Sequence, residues 1–327
     1  MTLKTLPVDA NGTVLAFTDG GKPDSDTYIT IFAVHGMVIF KRVAAKAASK
    51  ISVLSLSIGC SEGSTPHSEA EGLIPITGSD EDKAGFIASR GVQLGNFIDA
   101  IHPEKRSTPM FADIKTGGMA VLGWLAGDLL SCAVVVNIDS LSPTAKDRFK
   151  LYLRPISCKI TSSRVHWSPH MTPTIPADKH PAMFTSWITS YSDHGDLSTR
   201  DVSVLSYHVP SPLRWPTIYN MTADEIAETA DQRPVELPGV FVSMAQANAT
   251  YRKACYSADV KALVPSLKTT FFTGDRSASY SLAALWSIED DNKAGGGNLK
   301  FVVVPGANHF LHWDDADEAL KVYVDVL

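Results

Sequence analysis

Short apolar runs and longer amphipathic ones alternate along most of this chain. Tyr28–Val34, Ile51–Ile58 and Met119–Leu122 are brief and apolar, and Lys268–Thr273 and Lys300–Val304 repeat the pattern near the end. Runs of that length, closed by glycine or polar residues, predict buried strands. Between them, Asp80–Ile101 places Phe86, Ile87, Val92, Leu94, Phe97, Ile98 and Ile101 on a helical period. Phe40–Ser49 and Gly127–Val136 predict two further helices. Leu6–Thr18 predicts a hairpin turning at Asp9-Ala10-Asn11-Gly12, because Asn-Gly accepts the positive φ of a tight turn. Strands alternating with helices imply a mainly parallel sheet with helices on both faces. Function in such a sheet belongs to the loops beyond the carboxyl ends of the strands. His35, Leu125, Asp275 and His309 all fall there.

The alternation stops in the middle. From about residue 140 to 259 prolines are dense, and only short helices are expected, at Ala182–Ser192, Thr222–Thr229 and Ser243–Cys255. Thr222 with Glu225 fits a capping box at the second of these. A structureless loop of about 120 residues is improbable in a compact chain. The expected division is therefore a core of residues 1–139 and 260–327 with a mostly helical cap, 140–259, inserted into it.

Composition narrows the function classes. Hydrophobic residues make up 44% and charged residues 20% of the 327, ordinary for a globular protein. The formal charge of −6 comes with no basic stripe, which sets nucleic-acid partners aside. No apolar run reaches the roughly 18–20 residues that cross a bilayer. The polar start of the chain lacks a signal-peptide pattern, so a cytoplasmic protein is expected. Cys60, Cys132, Cys158 and Cys255 have no metal-binding spacing and are expected to be reduced thiols, with no metal and no cofactor.

Three segments carry a family resemblance. Val34-His35-Gly36 is a strand end followed by HG. Gly123-Trp124-Leu125-Ala126-Gly127 has the frame of a G-x-S-x-G elbow, in which a sharp strand-to-helix turn exposes the central residue. Pro305-Gly306-Ala307-Asn308-His309-Phe310 is a late loop with a histidine, preceded by Thr273-Gly274-Asp275-Arg276. The order of elbow, acid and histidine, with 150 residues and then 34 between them, resembles capped esterase- and epoxide-hydrolase-like members of the α/β-hydrolase superfamily. The resemblance extends to Gly63–Pro66 and to Ser190–Ser198 of the cap. It implies an α/β-hydrolase fold, with His35, Gly36, Met37, Trp124 and Ala126 around the oxyanion pocket, and with Asp275 and His309 as the surviving catalytic pair. Ser277 is an alternative occupant of the acid slot.

The departures from that pattern are chemical. Leu125 stands where the nucleophilic serine belongs, and leucine has neither a lone pair nor a proton to lose, so acyl transfer through this residue is closed. The chain also reaches Phe40 only three residues after Met37-Val38-Ile39 begin, a shorter loop than relatives have. That second loss argues against a lone engineered serine-to-leucine change. Cys132 lies two helical turns beyond the elbow and is expected in the core. Cys60 and Ser61 lie in a loop near the site mouth. Asp128 suits the first turn of its helix, His194 sits in a polar turn, and His312 and Trp313 are expected to pack at the sheet edge. A histidine and a carboxylate still move protons without a serine. The first expectation is thus a repurposed enzyme that cyclises, isomerises or cleaves a small apolar organic substrate without hydrolysis. The alternatives are a hydrolase with a His309-activated water and a pseudoenzyme that binds without turnover.

Overall fold

The computed structural model of the chain describes residues 2–21, 23, 28–35, 52–57, 63–105, 117–153, 156–159, 168–169, 172–229, 244–295, 297 and 299–325. The Asn11-Gly12 turn, with Gly12 at φ 80°, joins β1 (Leu3–Pro7) to β2 (Val14–Asp19) as an antiparallel pair. Next come β3 (Thr30–Val34), β4 (Ser52–Ser57), α1 (Glu69–Thr77), α2 (Asp80–Lys105), β5 (Met119–Trp124) and α3 (Ala126–Val136). They are followed by α4 (Pro143–Tyr152), β6 (Ile156–Lys159), α5 (His180–Ile188), α6 (Ala223–Thr229), α7 (Met244–Tyr256) and α8 (Ala258–Leu263). The chain ends on β7 (Thr269–Gly274), α9 (Ser279–Gly295), β8 (Lys300–Val304), α10 (Leu311–Asp314) and α11 (Ala316–Asp325).

Eight strands form one sheet in the order β1-β2-β4-β3-β5-β6-β7-β8. The β1, β2 and β4 pairings are antiparallel, and all from β4 to β8 are parallel. The order reverses at β3, which pairs with β4 on one side and β5 on the other. A parallel sheet opens a crevice at such a reversal, beyond the strands' carboxyl ends. Val34 is in register with Gly123 there, so His35 leaves the sheet beside Trp124, the residue before Leu125.

Alternate strand residues build two cores. Phe32 and Val34 of β3 and Val121 of β5 face Phe97 and Ile98 of α2 and Val134 of α3. Ile31, Ala33, Ala120, Leu122 and Trp124 face the other way, toward Ala319, Val322 and Tyr323 of α11. Each large apolar side chain so buried contributes about 1.5–3 kcal/mol. Both faces of β3 and β5 are covered, so their sequences run apolar without alternation.

Ile156–Lys159 falls within the stretch expected to be insertion, yet β6 sits in the sheet between β5 and β7. Phe149 of α4 and Ala254 of α7 join the core that α2 and α3 build. A four-residue strand gives periodicity too little to register. Over the carboxyl ends of the strands stand residues 172–229, made of α5, α6 and single turns at Leu197–Thr199, Val202–Val204 and Thr217–Asn220. The Thr222–Glu225 capping box is formed, with Thr222 N–H donating to Glu225 at 2.8 Å and Glu225 N–H to Thr222 Oγ1 at 3.2 Å. Among the described residues no helix is long and apolar enough to cross a membrane.

Candidate functional site

β5 turns into α3 through one residue, Leu125, at φ 56° and ψ −118°. Only Leu125 and Arg200 among the described non-glycine residues have positive φ. The flanking glycines make the turn possible. A Cβ on Gly127 would lie 2.0 Å from the Val34 carbonyl oxygen, and one on Gly123 would lie 2.4 Å from Asp128 Cα. The elbow thus packs its backbone directly on the end of β3, where His35 is 5% exposed. Gly36 and Met37 lie outside the described residues, as do the helix expected at Phe40–Ser49 and the pair Cys60 and Ser61. Trp124 is buried in the sheet core, Asp128 is buried in the first turn of α3, and Cys132 lies in the core beneath.

The acid and histidine loops interlock through backbone. Asp275 N–H donates to Val304 O and Arg276 N–H to Ala307 O. A Cβ on Gly274 would meet the Ala307 carbonyl oxygen at 1.9 Å. The half-buried Asp275 carboxylate accepts the Gly306 N–H at 2.7 Å. Its described hydrogen bond therefore goes to the backbone three residues before His309, and fixes the loop that carries the imidazole. Ser277 is fully buried, and its carbonyl accepts from His194 Nε2 at 2.8 Å. His194 Nδ1 accepts the Ser206 N–H, so this histidine is a tie between the cap and the acid loop rather than a solvated turn residue. Burial lowers its pKa from the ordinary histidine value.

His309 is 1% exposed in an aromatic cage. Its ring centroid lies 5.4 Å from Trp124 and from Phe310, both edge-on, and 6.2 Å from Tyr280. His312 packs on Trp124 from 4.4 Å. Trp313 points to the cap and not to the sheet edge. It clusters with Phe184 and Ile188 of α5, with Tyr280 and Phe310, and against Leu125 and Trp187. Leu125 also packs on the core around Trp124, so it bridges the sheet and the cap.

Buried polar bonds hold the cap on this loop. Asn308, fully buried, donates to Thr189 O at 2.9 Å and to Thr217 Oγ1 at 2.8 Å, and accepts from Phe310 N–H. Asp314 accepts from Tyr191 at 2.5 Å and from Thr217 at 2.6 Å. Burial, followed by the bond to Asp314, pushes the Tyr191 phenol above its ordinary pKa. Arg214 lies over the Tyr191 ring at 3.7 Å and donates to Gly306 O. Tyr280, Asp314 and Thr217 carry no motif, Tyr191 lies in the stretch Ser190–Ser198 to which the resemblance extends, and sequence reasoning assigned none of the four a role. Asn308 had a signal, its place before His309, but its partners come from the cap. Among the described residues no three His, Cys, Asp or Glu side chains come together as a metal site requires.

The arrangement brings two buried imidazoles, His309 and His312, and the buried Tyr280 phenol close to the tight turn at Leu125, beside the aromatic residues of α5. No family model and no curated protein sequence matches the chain. Solved structures match it over its whole length. A serine hydrolase from the polyaromatic-hydrocarbon-degrading bacterium Cycloclasticus zankles superposes with a TM-score of 0.54 at 9% identity, over 99% of this chain and 97% of that one. A mutant of potato epoxide hydrolase gives 0.54 at 11%, over 99% and 98%. Epoxide hydrolase A from Mycobacterium thermoresistibile gives 0.53 at 15%, over 100% and 98%. At such identities the likeness is one of fold.

Proposed function

The chain has the α/β-hydrolase fold, and on that footing we propose that it is an enzyme repurposed from acyl transfer to cofactor-independent acid/base chemistry. The reaction is a cyclisation, isomerisation or lyase step on a small apolar organic molecule. His309 moves the proton, Asp275 holds its loop through Gly306, and residues 172–229 form the lid. One observation carries this reading: Leu125 keeps the strained turn of a nucleophile elbow, φ 56°, with a side chain that cannot attack. An imidazole held by its neighbours in an aromatic cage still shuttles a proton, and positioned acid/base groups typically contribute 10²–10⁴-fold to rate.

The test is turnover of a panel of small apolar compounds in ¹⁸O-labelled water, read by mass spectrometry. The expected product has the mass of the substrate, or that mass less an eliminated fragment, and carries no ¹⁸O. His309→Gln keeps the volume of the ring and removes the base, so it should lower the rate by about 10²–10⁴ with little change in melting temperature. Asp275→Asn keeps an oxygen to accept the Gly306 N–H and should retain most of the rate, whereas Asp275→Ala should lose it. Incorporation of ¹⁸O, or full turnover by His309→Gln, would overturn the proposal.

A further inference from the structure

The lid carries the most exposed large apolar side chains among the described residues, and they fall within one short stretch. Val209 is 72% exposed, Leu213 85%, Trp215 75% and Tyr219 63%, and no other described large apolar residue exceeds the 58% of Leu151. Apolar residues exposed singly are ordinary, whereas a group of them marks an interaction surface. Trp215 and Tyr219 meet edge to face at 6.1 Å, so these two form one patch. The backbone beneath is pinned. The Ser206 hydroxyl donates to Val209 O, Ser211 N–H to Tyr191 O, Leu213 N–H to Ser211 Oγ, and Thr217 N–H to Thr189 O. Pro210, Pro212 and Pro216 fix φ between those bonds. The apolar tips are therefore held toward water already ordered, which lowers the entropy lost on docking.

Charge and size decide what covers the patch. From Val202 to Ala223 the chain has no Asp or Glu, although its formal charge is −6. The stretch holds the exposed Arg214 and His208 instead. Arg214 donates to Gly306 O at 2.9 Å and to the Tyr191 hydroxyl at 3.0 Å, both neutral, and no carboxylate among the described residues forms an ion pair with it. Asp314 lies behind the stretch, where it accepts from Tyr191 and Thr217. A stable interface between proteins takes roughly 20–30 residues a side, far more than these few. Tryptophan and tyrosine beside a cation suit the boundary between lipid headgroups and acyl chains. We propose that residues 208–219 dock the lid on an anionic lipid membrane, with Leu213 and Trp215 entering the acyl boundary and Arg214 among the headgroup phosphates. This attachment does not depend on the chemistry proposed for His309.

The experiment is flotation of the whole chain with vesicles of phosphatidylcholine alone and of phosphatidylcholine mixed with phosphatidylserine. Wild type is expected to float with the mixed vesicles and to bind phosphatidylcholine alone about fivefold more weakly, the worth of one cation at an anionic surface. Leu213→Ser combined with Trp215→Ser should lower the partition coefficient about tenfold to a hundredfold, because both apolar side chains then stay in water. Both positions are exposed, so the double variant should melt as wild type does. Leu151→Ser, exposed on α4, should float like wild type. Lipids brominated on the acyl chain should quench wild-type tryptophan fluorescence, and Trp215→Phe should remove most of that quenching. The proposal is overturned if wild type floats with neither vesicle, if the double variant floats as well as wild type, or if Leu151→Ser weakens binding as much. It is also overturned if vesicles are ignored and wild type sediments as a dimer that the double variant dissociates, because a second copy would then cover the patch.

Discussion

Replacing Leu125 by alanine and separately by glycine isolates the strain stored at the elbow. The two variants differ by a single Cβ at a position with φ 56° and ψ −118°. A non-glycine residue held in such a region costs about 1–3 kcal/mol. Glycine recovers that but gives back about 0.5–1 kcal/mol through the greater freedom of its unfolded chain. Leu125→Gly should therefore be more stable than Leu125→Ala by up to about 2.5 kcal/mol. Both lose the packing of a half-buried leucine, about 0.8–1.5 kcal/mol as half of full burial, so alanine should fall below wild type while glycine stays close to it. Urea unfolding followed by tryptophan fluorescence measures the midpoints, compared at equal slope. An alanine variant more stable than the glycine one would refute the reasoning, because glycine costs stability at any ordinary backbone position. The elbow would then be unstrained, and the proposed reading of it as a nucleophile turn would lose its support.

Gly127→Ala should destabilise by several kcal/mol or abolish folding, since its Cβ would sit 2.0 Å from the Val34 carbonyl oxygen, while Gly85→Ala, in open space on α2, should stabilise by about 0.5–1 kcal/mol; thermal melts of the pair compare them directly. Asn308→Ala removes three buried hydrogen bonds and takes the described acceptor from the Phe310 N–H, and should cost roughly 2–4 kcal/mol, with faster proteolysis within residues 172–229 as the local readout. Fluorophosphonate probes should leave the elbow of the wild-type protein unlabelled, and an adduct there found by peptide mass spectrometry would contradict the reading of Leu125. His194 has a lowered pKa because it is buried, so its contribution to stability is full above the ordinary value of about 6.5 and is lost as pH falls toward and through its folded value. Melting temperatures from pH 7.5 to 5.0 should fall more steeply for wild type than for His194→Gln, and parallel curves would show that the tie to Ser206 and Ser277 carries no proton linkage.

The sequence by itself determined the sheet strands at both ends of the chain, the Asn11-Gly12 hairpin, the helix from Asp80, and the elbow frame set by Gly123 and Gly127. Those features are local. Periodicity records which side of an element is buried, and glycine records where backbone must approach backbone, as Gly127 does at Val34 and Gly274 at Ala307. Tertiary structure decided the rest. β6 is four residues long, and its place between β5 and β7 comes from pairing with strands far away in the chain. The bond from the Gly306 N–H to the Asp275 carboxylate was not legible either, because it is fixed by how two loops 31 residues apart zip together. Trp313, expected at the sheet edge, faces α5 because α10 turns it toward the cap. Asn308 finds its partners Thr189 and Thr217 only because residues 172–229 are packed against its loop. A hydrogen-bond partner is a property of approach in three dimensions, and spacing along one chain does not encode it.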